Sequence, residues 1–458
     1  MILSRVVHPA FTILHQTWPI LLSQLAVCGF GIIDVMLVSH LCAQQSAAVG
    51  VGMNIFNTVS IGFLAILFIL PPSISKSYAV DNHQDVASIV CQGVYLALLL
   101  TVPISVLLYF PDMLIGISQL NPATEAITRR YLFGLACATP AIMLFRVFYA
   151  YASGMLQTKW VMHMNLAGLM VKVPLAWYLV FGMGQWEGLG ALGCSISSLC
   201  ILWAQVIFAA WFIYRDQSPH GRFIFTHWSK PNWIKIGYLL KNGLPIGLCV
   251  FVDYTAHTMI GLCVARLGDV VTAGHQIASN IAFIIYLIPL ALSMATTILV
   301  AHAIGKKDWL LARQTVLTAI QLAIGIALLV STCLFFGNQL MVSLYTHHDA
   351  IHHSATQLIV VVAIYHFFDA LVTVFLGILR AYNKTLVPAL LLASTLWSFS
   401  LGGGYYLAFY YQEGMGAIGF WIAITVAEVL LTILIGCYAW RMSYQILRKN
   451  QKNVAPIL

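Results

Sequence analysis

Apolar runs long enough to cross a lipid bilayer recur along this whole sequence, and no soluble fold can accommodate them. Twelve such spans fit, at about 13–38, 48–72, 88–110, 131–155, 160–183, 188–213, 243–266, 274–300, 314–337, 356–379, 385–411 and 416–438. A helix of about 20 residues crosses roughly 30 Å of hydrocarbon. Barrel strands are about ten residues long and alternate in character, so runs of this length mean helices. With 61% hydrophobic and 8% charged residues, the composition agrees.

The net charge of +8 raises the question of nucleic acid, but the basic residues are distributed for another reason. Counting spans from an N-terminus in the cytoplasm, 17 of the 22 Lys and Arg fall on one side, including Arg5, Lys76, Lys159, the 215–241 stretch, Lys306, Lys307, Arg380 and the segment from Arg441. The positive-inside rule accounts for that asymmetry and places both termini in the cytoplasm. No nucleic-acid partner is expected. The ten cysteines are scattered singly without a C-x-x-C pair and read as small packing residues. Arg5 precedes an apolar run that is too long for a signal peptide and lacks an A-x-A-like exit, so the run is expected to be an uncleaved first span.

The sequence repeats itself. Pro19 and Pro245, Leu41 and Leu267, Ala47 and Ala273, and Asn54 and Asn280 all pair at a spacing of 226, and EGLGALG (187–193) returns at the same spacing as EGMGAIG (413–419). Six spans per half is an even number, so both halves cross in the same direction. They are expected as parallel repeats about an axis along the membrane normal, as in secondary transporters with a midplane site. The fold class is therefore all-α integral membrane, twelve helices in two six-helix lobes. The expected domains are an N-terminal lobe (1–214), a cytoplasmic linker (215–241), a C-terminal lobe (242–440) and a frayed cytoplasmic tail (441–458).

Six charged residues fall inside spans: Asp34, Arg146, Lys172, Asp253, Asp369 and Glu428. A charge at the centre of a spanning helix costs about 2.5–3.5 kcal/mol on insertion scales, so each is a candidate for function. Asp253 and Asp369 each lie ten residues from the inner end of their span. At about 1.5 Å per residue both are roughly 15 Å deep and level with one another. His257 lies one turn beyond Asp253, and Tyr365 one turn before Asp369. Two carboxylates, a phenol and nearby carbonyls make an oxygen-rich site for a hard cation such as Na⁺. The same pair can instead share a proton, which His257 would suit. Asp34 counts to about 31 Å from the inner face and Lys172 to about 18 Å, a gap beyond a lysine's reach unless a helix tilts or a span boundary is shifted. Lys172 is expected to act as a fixed positive charge in the first lobe. Arg146 is near mid-depth, Glu428 is the weakest candidate of the six, and HHDAIHH (347–353) reads as a solvated outer loop.

These motifs resemble the multidrug and toxic compound extrusion (MATE) family, particularly its bacterial sodium–multidrug antiporter branch. The resemblance is carried by FGIIDVMLVSHL around Asp34, GLPIGLCVFVDYTAHTMIGLCVARLG around Asp253, GHQIASNIAFIIYLIPLALSMATTILVAHAIG, and YHFFDALVTVFLGILRAYNKT around Asp369. It implies two six-helix lobes around a V-shaped cavity, and export of amphipathic organic cations in exchange for Na⁺ or H⁺ across a bacterial inner membrane, with no cofactor and as a monomer. The family's first-span acid falls on Asp34 and its seventh-span acid, commonly Glu, on Asp253. Its tenth-span Tyr and Asp fall on Tyr365 and Asp369, and its eighth-span Gln and Asn on Gln276 and Asn280. In span five, VKVPLAW places Lys172 and Ala176 where the family usually has Asn and Asn or Asp. The coupling set is thus Asp253, Asp369, Tyr365 and His257, with Asp34, Lys172, Gln276 and Asn280 as the further site residues. A lipid-linked-sugar flippase of the same superfamily is the competing transporter reading, but it calls for a basic cavity and often extra spans. An integral-membrane metalloenzyme would have only the 347–353 histidines to build on. A passive channel is disfavoured by the two-lobe repeat.

Overall fold

The computed structural model describes residues 9–118, 120–184, 186–215, 223, 224, 226, 228–411 and 414–454. Twelve helices are long and apolar enough to span a membrane: α1 Pro9–Ser39, α2 Ala43–Tyr78, α3 His83–Tyr109, α4 Pro122–Gly154, α5 Thr158–Phe181, α6 Ala191–Arg215, α7 Trp233–Leu267, α8 Asp269–Gly305, α9 Trp309–Ser343, α10 Asp349–Ala381, α11 Leu386–Phe409 and α12. The last runs over Ala417–Val454. A two-stranded antiparallel turn, with Gly182 opposite Glu187, joins α5 to α6. The described residues are thus all-α apart from that turn, with the expected number of spans.

Most helices outrun the apolar segments that reveal them. The fourth begins at Pro122, nine residues before the apolar run, and the seventh at Trp233, ten residues before it. These extensions are polar, so hydropathy misses them, but their caps are sound. The Asn121 side chain accepts from Thr124 N–H at 2.8 Å, with Pro122 in the first turn. Asn232 accepts from the N–H groups of Ile234 and Lys235, both at 3.1 Å. The expected linker therefore shrinks, because its last part is the start of α7. Gln92 fastens the segment before α7 by donating to Ser229 and to the Lys230 carbonyl and accepting from Asn232 N–H. Residues 216–222, 225 and 227 of the linker lie outside the described residues. The segment from Arg441, expected to be frayed, continues α12 as helix to Val454.

The chain divides into two compact units, Leu22–Gly247 in one and Met1–Leu21 with Leu248–Leu458 in the other. Each has its own apolar core. In the first, α4 packs against α2, α3 and α6; in the second, α10 packs against α8, α9 and α12. Close approach is made by small residues and hydroxyls, as helices in lipid require. Ser293 Oγ on α8 donates to the Thr373 carbonyl of α10 at 2.6 Å, and Thr297 Oγ1 to that of Gly377 at 2.9 Å.

The repeat is visible in the backbone. Among the described residues, four other than glycine have left-handed φ: Asp81, Leu156, Lys307 and Asn383. They form two pairs, at spacings of 226 and 227. The residue after the first of each half caps the next helix. Asn82 accepts from Asp85 N–H at 3.1 Å, and Asp308, 226 residues on, accepts from Leu311 N–H at 2.9 Å. The spacing of 227 shows that the two halves do not align wholly without a gap. Glu413, which anchors the second EGLGALG-like block, lies outside the described residues.

Candidate functional site

The second unit gathers acids from three helices. On α7, His257 Nε2 lies 3.8 Å from Asp253 Oδ1, with both side chains partly exposed. The His257 ring meets Tyr365 of α10 edge-on at 6.4 Å. Tyr365 in turn packs edge-on against Trp421 of α12 at 5.6 Å. Trp421 Nε1 donates to His275 Nδ1 of α8 at 3.2 Å. One turn past Tyr365 sits Asp369, only 8% exposed, and Glu428 of α12 is 4% exposed. Asp369 Oδ2 and Glu428 Oε2 are buried oxygens with no hydrogen-bond partner among the described residues. The charges of Asp253, Asp369 and Glu428 all bear on the Tyr365 hydroxyl, and those of Asp253 and Asp369 on Tyr286 of α8. Among the described residues, no lysine or arginine makes a salt bridge with any of the three acids.

Asp253, His257, Tyr365 and Asp369 are therefore brought together. Glu428, the weakest of the six sequence candidates, joins them, as do Tyr286, His275 and Trp421, which the sequence did not single out. Glu428 had a signal, since it was already an acid inside a span, but nothing in the sequence showed which way α12 faces. Gln276 and Asn280 lie on an exposed stripe of α8, while the buried face of that turn presents His275. The 347–353 stretch is not wholly a loop. His348 precedes the first turn of α10, so His352 and His353 are helical.

The first unit holds an acid of another kind. Lys172 of α5 is fully buried and Asp34 of α1 is 3% exposed. Lys172 Nζ lies 2.9 Å from Asp34 Oδ1, donates to Oδ2 at 3.0 Å, and also donates to Ser198 Oγ of α6. It sits 5.0 Å above the Phe30 ring. Further along the same helices, Asn165 donates to Ser23 at 2.7 Å and Gln205 donates to the Met164 carbonyl at 3.0 Å. The depth count, which kept Lys172 and Asp34 apart, is corrected by this ion pair. It ran from the inner helix ends, but α1 has 31 residues, well beyond the roughly 20 that cross the hydrocarbon. From the outer ends, Asp34 lies five residues before Ser39 and Lys172 nine before Phe181. That difference is about 6 Å, within a lysine's reach. Arg146 of α4 lies over the rings of Phe68 and Tyr149, at 5.5 and 5.7 Å.

An unpaired ion out of water costs several kcal/mol, and pairing offsets that only with good geometry. Asp34 has its partner built in. Asp369 and Glu428 have no lysine or arginine in a salt bridge with them among the described residues.

A sequence model of the MatE family matches the chain twice, over residues 19–178 and again over 245–405, with starting points 226 residues apart. A probable multidrug resistance protein NorM of Aromatoleum aromaticum is 32% identical over 425 residues, covering 92% of each chain. Multidrug resistance protein NorM of Aliivibrio fischeri is 30% identical over 425 residues, covering 90% of this chain and 91% of that one. Among solved structures, an outward-facing multidrug resistance MATE family transporter of the MOP superfamily superposes with a TM-score of 0.86. It is 16% identical and covers 96% of this chain and 97% of that one.

Proposed function

The chain belongs to the MatE family, and from that premise we propose that it is a cation-coupled antiporter exporting amphipathic organic cations by alternating access. It is a membrane protein with twelve spans and not an enzyme. In this reading it works as a monomer in a bacterial inner membrane, with both termini and the 215–241 segment on the cytoplasmic side. Lobes over 1–214 and 242–440 carry the repeat, and the coupling ion is Na⁺ or H⁺. The relatives' names, as multidrug resistance proteins, support the substrate class.

The observation that carries coupling is the lack of a basic partner for the buried acids of the second unit. Asp253 and Asp369 are the groups that exchange the ion, assisted by Tyr365 and His257. Lys172 satisfies Asp34 without any ion from solution. The test is efflux of the dye cation ethidium from proteoliposomes, with Na⁺ and H⁺ gradients imposed one at a time. One of them is expected to drive efflux. Protein that moves ethidium under neither gradient would defeat the reading. Orientation is tested separately by one-sided labelling of a cysteine placed at His348, expected to react only from the periplasmic face.

A further inference from the structure

Glu428 is the acid that the coupling reading leaves over. Its neighbours on α12 are core residues: Ile424 is 2% exposed, and Ala427 and Leu431 are both fully buried. An acid among such neighbours needs a reason. Gluing helices together by hydrogen bonds would be one, but its Oε2 has no hydrogen-bond partner among the described residues.

The packing of α12 on α10 locates the side chain. Trp421, two turns before Glu428, touches Tyr365, one turn before Asp369. Thr432, one turn after Glu428, donates from Oγ1 to the carbonyl of Phe368, the residue before Asp369, at 3.3 Å. Gly436, a further turn on, lies against the Phe375 ring. Residues 421, 428, 432 and 436 share one stripe of α12, because successive members are about whole turns apart. Glu428 therefore faces α10 between contacts that bracket Asp369, and it lies within electrostatic reach of both Asp369 and Asp253. The unpartnered oxygen of Asp369, Oδ2, belongs to the same group.

We propose that Glu428 is the third carboxylate of the coupling site, and that the site carries two monovalent cations or protons per transport cycle rather than one. The reasoning is charge balance. Asp253 is partly exposed and can be solvated, but the buried Asp369 and Glu428 have no basic partner among the described residues, and each is neutralised in a low-dielectric core only by a bound cation or proton. The proposal rests on the coupling reading above and adds its stoichiometry and a further ligand.

The experiment measures the steady ethidium gradient that proteoliposomes sustain against an imposed gradient of the driving ion, with the membrane potential clamped at zero. Two ions per ethidium give a second-power law, so a tenfold ion gradient sustains about a hundredfold ethidium gradient, against about tenfold for one ion. The wild type is expected to follow the second power, Glu428→Gln the first, and Glu428→Asp the second. A first-power law in the wild type, or a second-power law in Glu428→Gln, overturns the proposal. Absence of any gradient-driven movement in the wild type instead defeats the coupling reading itself.

A measurement on wild-type protein guards against a variant that does not fold. Dicyclohexylcarbodiimide, which modifies buried protonated carboxyl groups, is expected to label Glu428 as well as Asp369, read by mass spectrometry of peptides. Saturating ethidium, or saturating Na⁺ where Na⁺ is the driving ion, is expected to suppress both labels. Labelling of Asp369 alone, or a Glu428 label that neither ligand suppresses, overturns the proposal.

Discussion

Two buried acids in this molecule have opposite surroundings. Asp34 in the first unit holds an ammonium against both carboxylate oxygens. Asp369 in the second has no lysine or arginine in a salt bridge with it among the described residues and shares its surroundings with Glu428 and Asp253. One acid is paired by the chain itself, whereas in the proposed reading the other is neutralised by an ion from solution. An acid inside a membrane therefore does not by itself mark an ion site; the sign of its neighbours decides. The duplication makes the lesson sharper. At the repeat spacing, Asp34 falls on Ile260, and Asp253, Asp369 and Glu428 fall on Val27, Met143 and Leu202. Turns and helix caps have been kept in both halves, while every intramembrane acid is peculiar to one.

The largest expected effect is on transport. Asp253→Asn and Asp369→Asn should each reduce gradient-driven ethidium efflux to the leak of empty vesicles, while Asp34→Asn retains coupling and alters mainly the apparent affinity for the dye. If Asp369→Asn stays fully coupled and Asp34→Asn does not, the contrast between the units is reversed.

Next in size is stability. Lys172→Met leaves a buried carboxylate without its counter-charge and should destabilise the protein by about 3–5 kcal/mol, read by thermal unfolding in detergent. The double variant Asp34→Asn with Lys172→Met should recover most of that loss, since removing both charges of a buried pair is often close to neutral. A double variant as unstable as the sum of the singles would show that the pair does not act as a unit.

The smallest effect tests the repeat itself. Leu156 has φ 62° where Asn383 has φ 56°. A side chain in this left-handed region costs about 1–2 kcal/mol, and less for Asn, which hydrogen-bonds locally there. Leu156→Asn should raise the unfolding temperature slightly and Asn383→Leu should lower it. Equal and opposite shifts would confirm that the two turns are equivalent.

The sequence alone determined that this is a duplicated twelve-helix membrane protein. Run length and basic-residue asymmetry are properties of consecutive residues, and bilayer thickness converts them directly into spans. It also picked out Asp253, His257, Tyr365 and Asp369, because a one-turn spacing puts side chains on one face of a single helix. Tertiary structure decided everything that depends on a second helix. Helix rotation brought Glu428 toward Asp369 and turned Gln276 and Asn280 onto an exposed stripe, and spacing along one chain carries no information about rotation against another. Helix length beyond the apolar run set the relative heights of α1 and α5, and with them the pairing of Lys172 with Asp34. Charge at each site is a sum over neighbours within a few ångström, and those neighbours come from segments distant in the chain, 138 residues for Lys172 and Asp34.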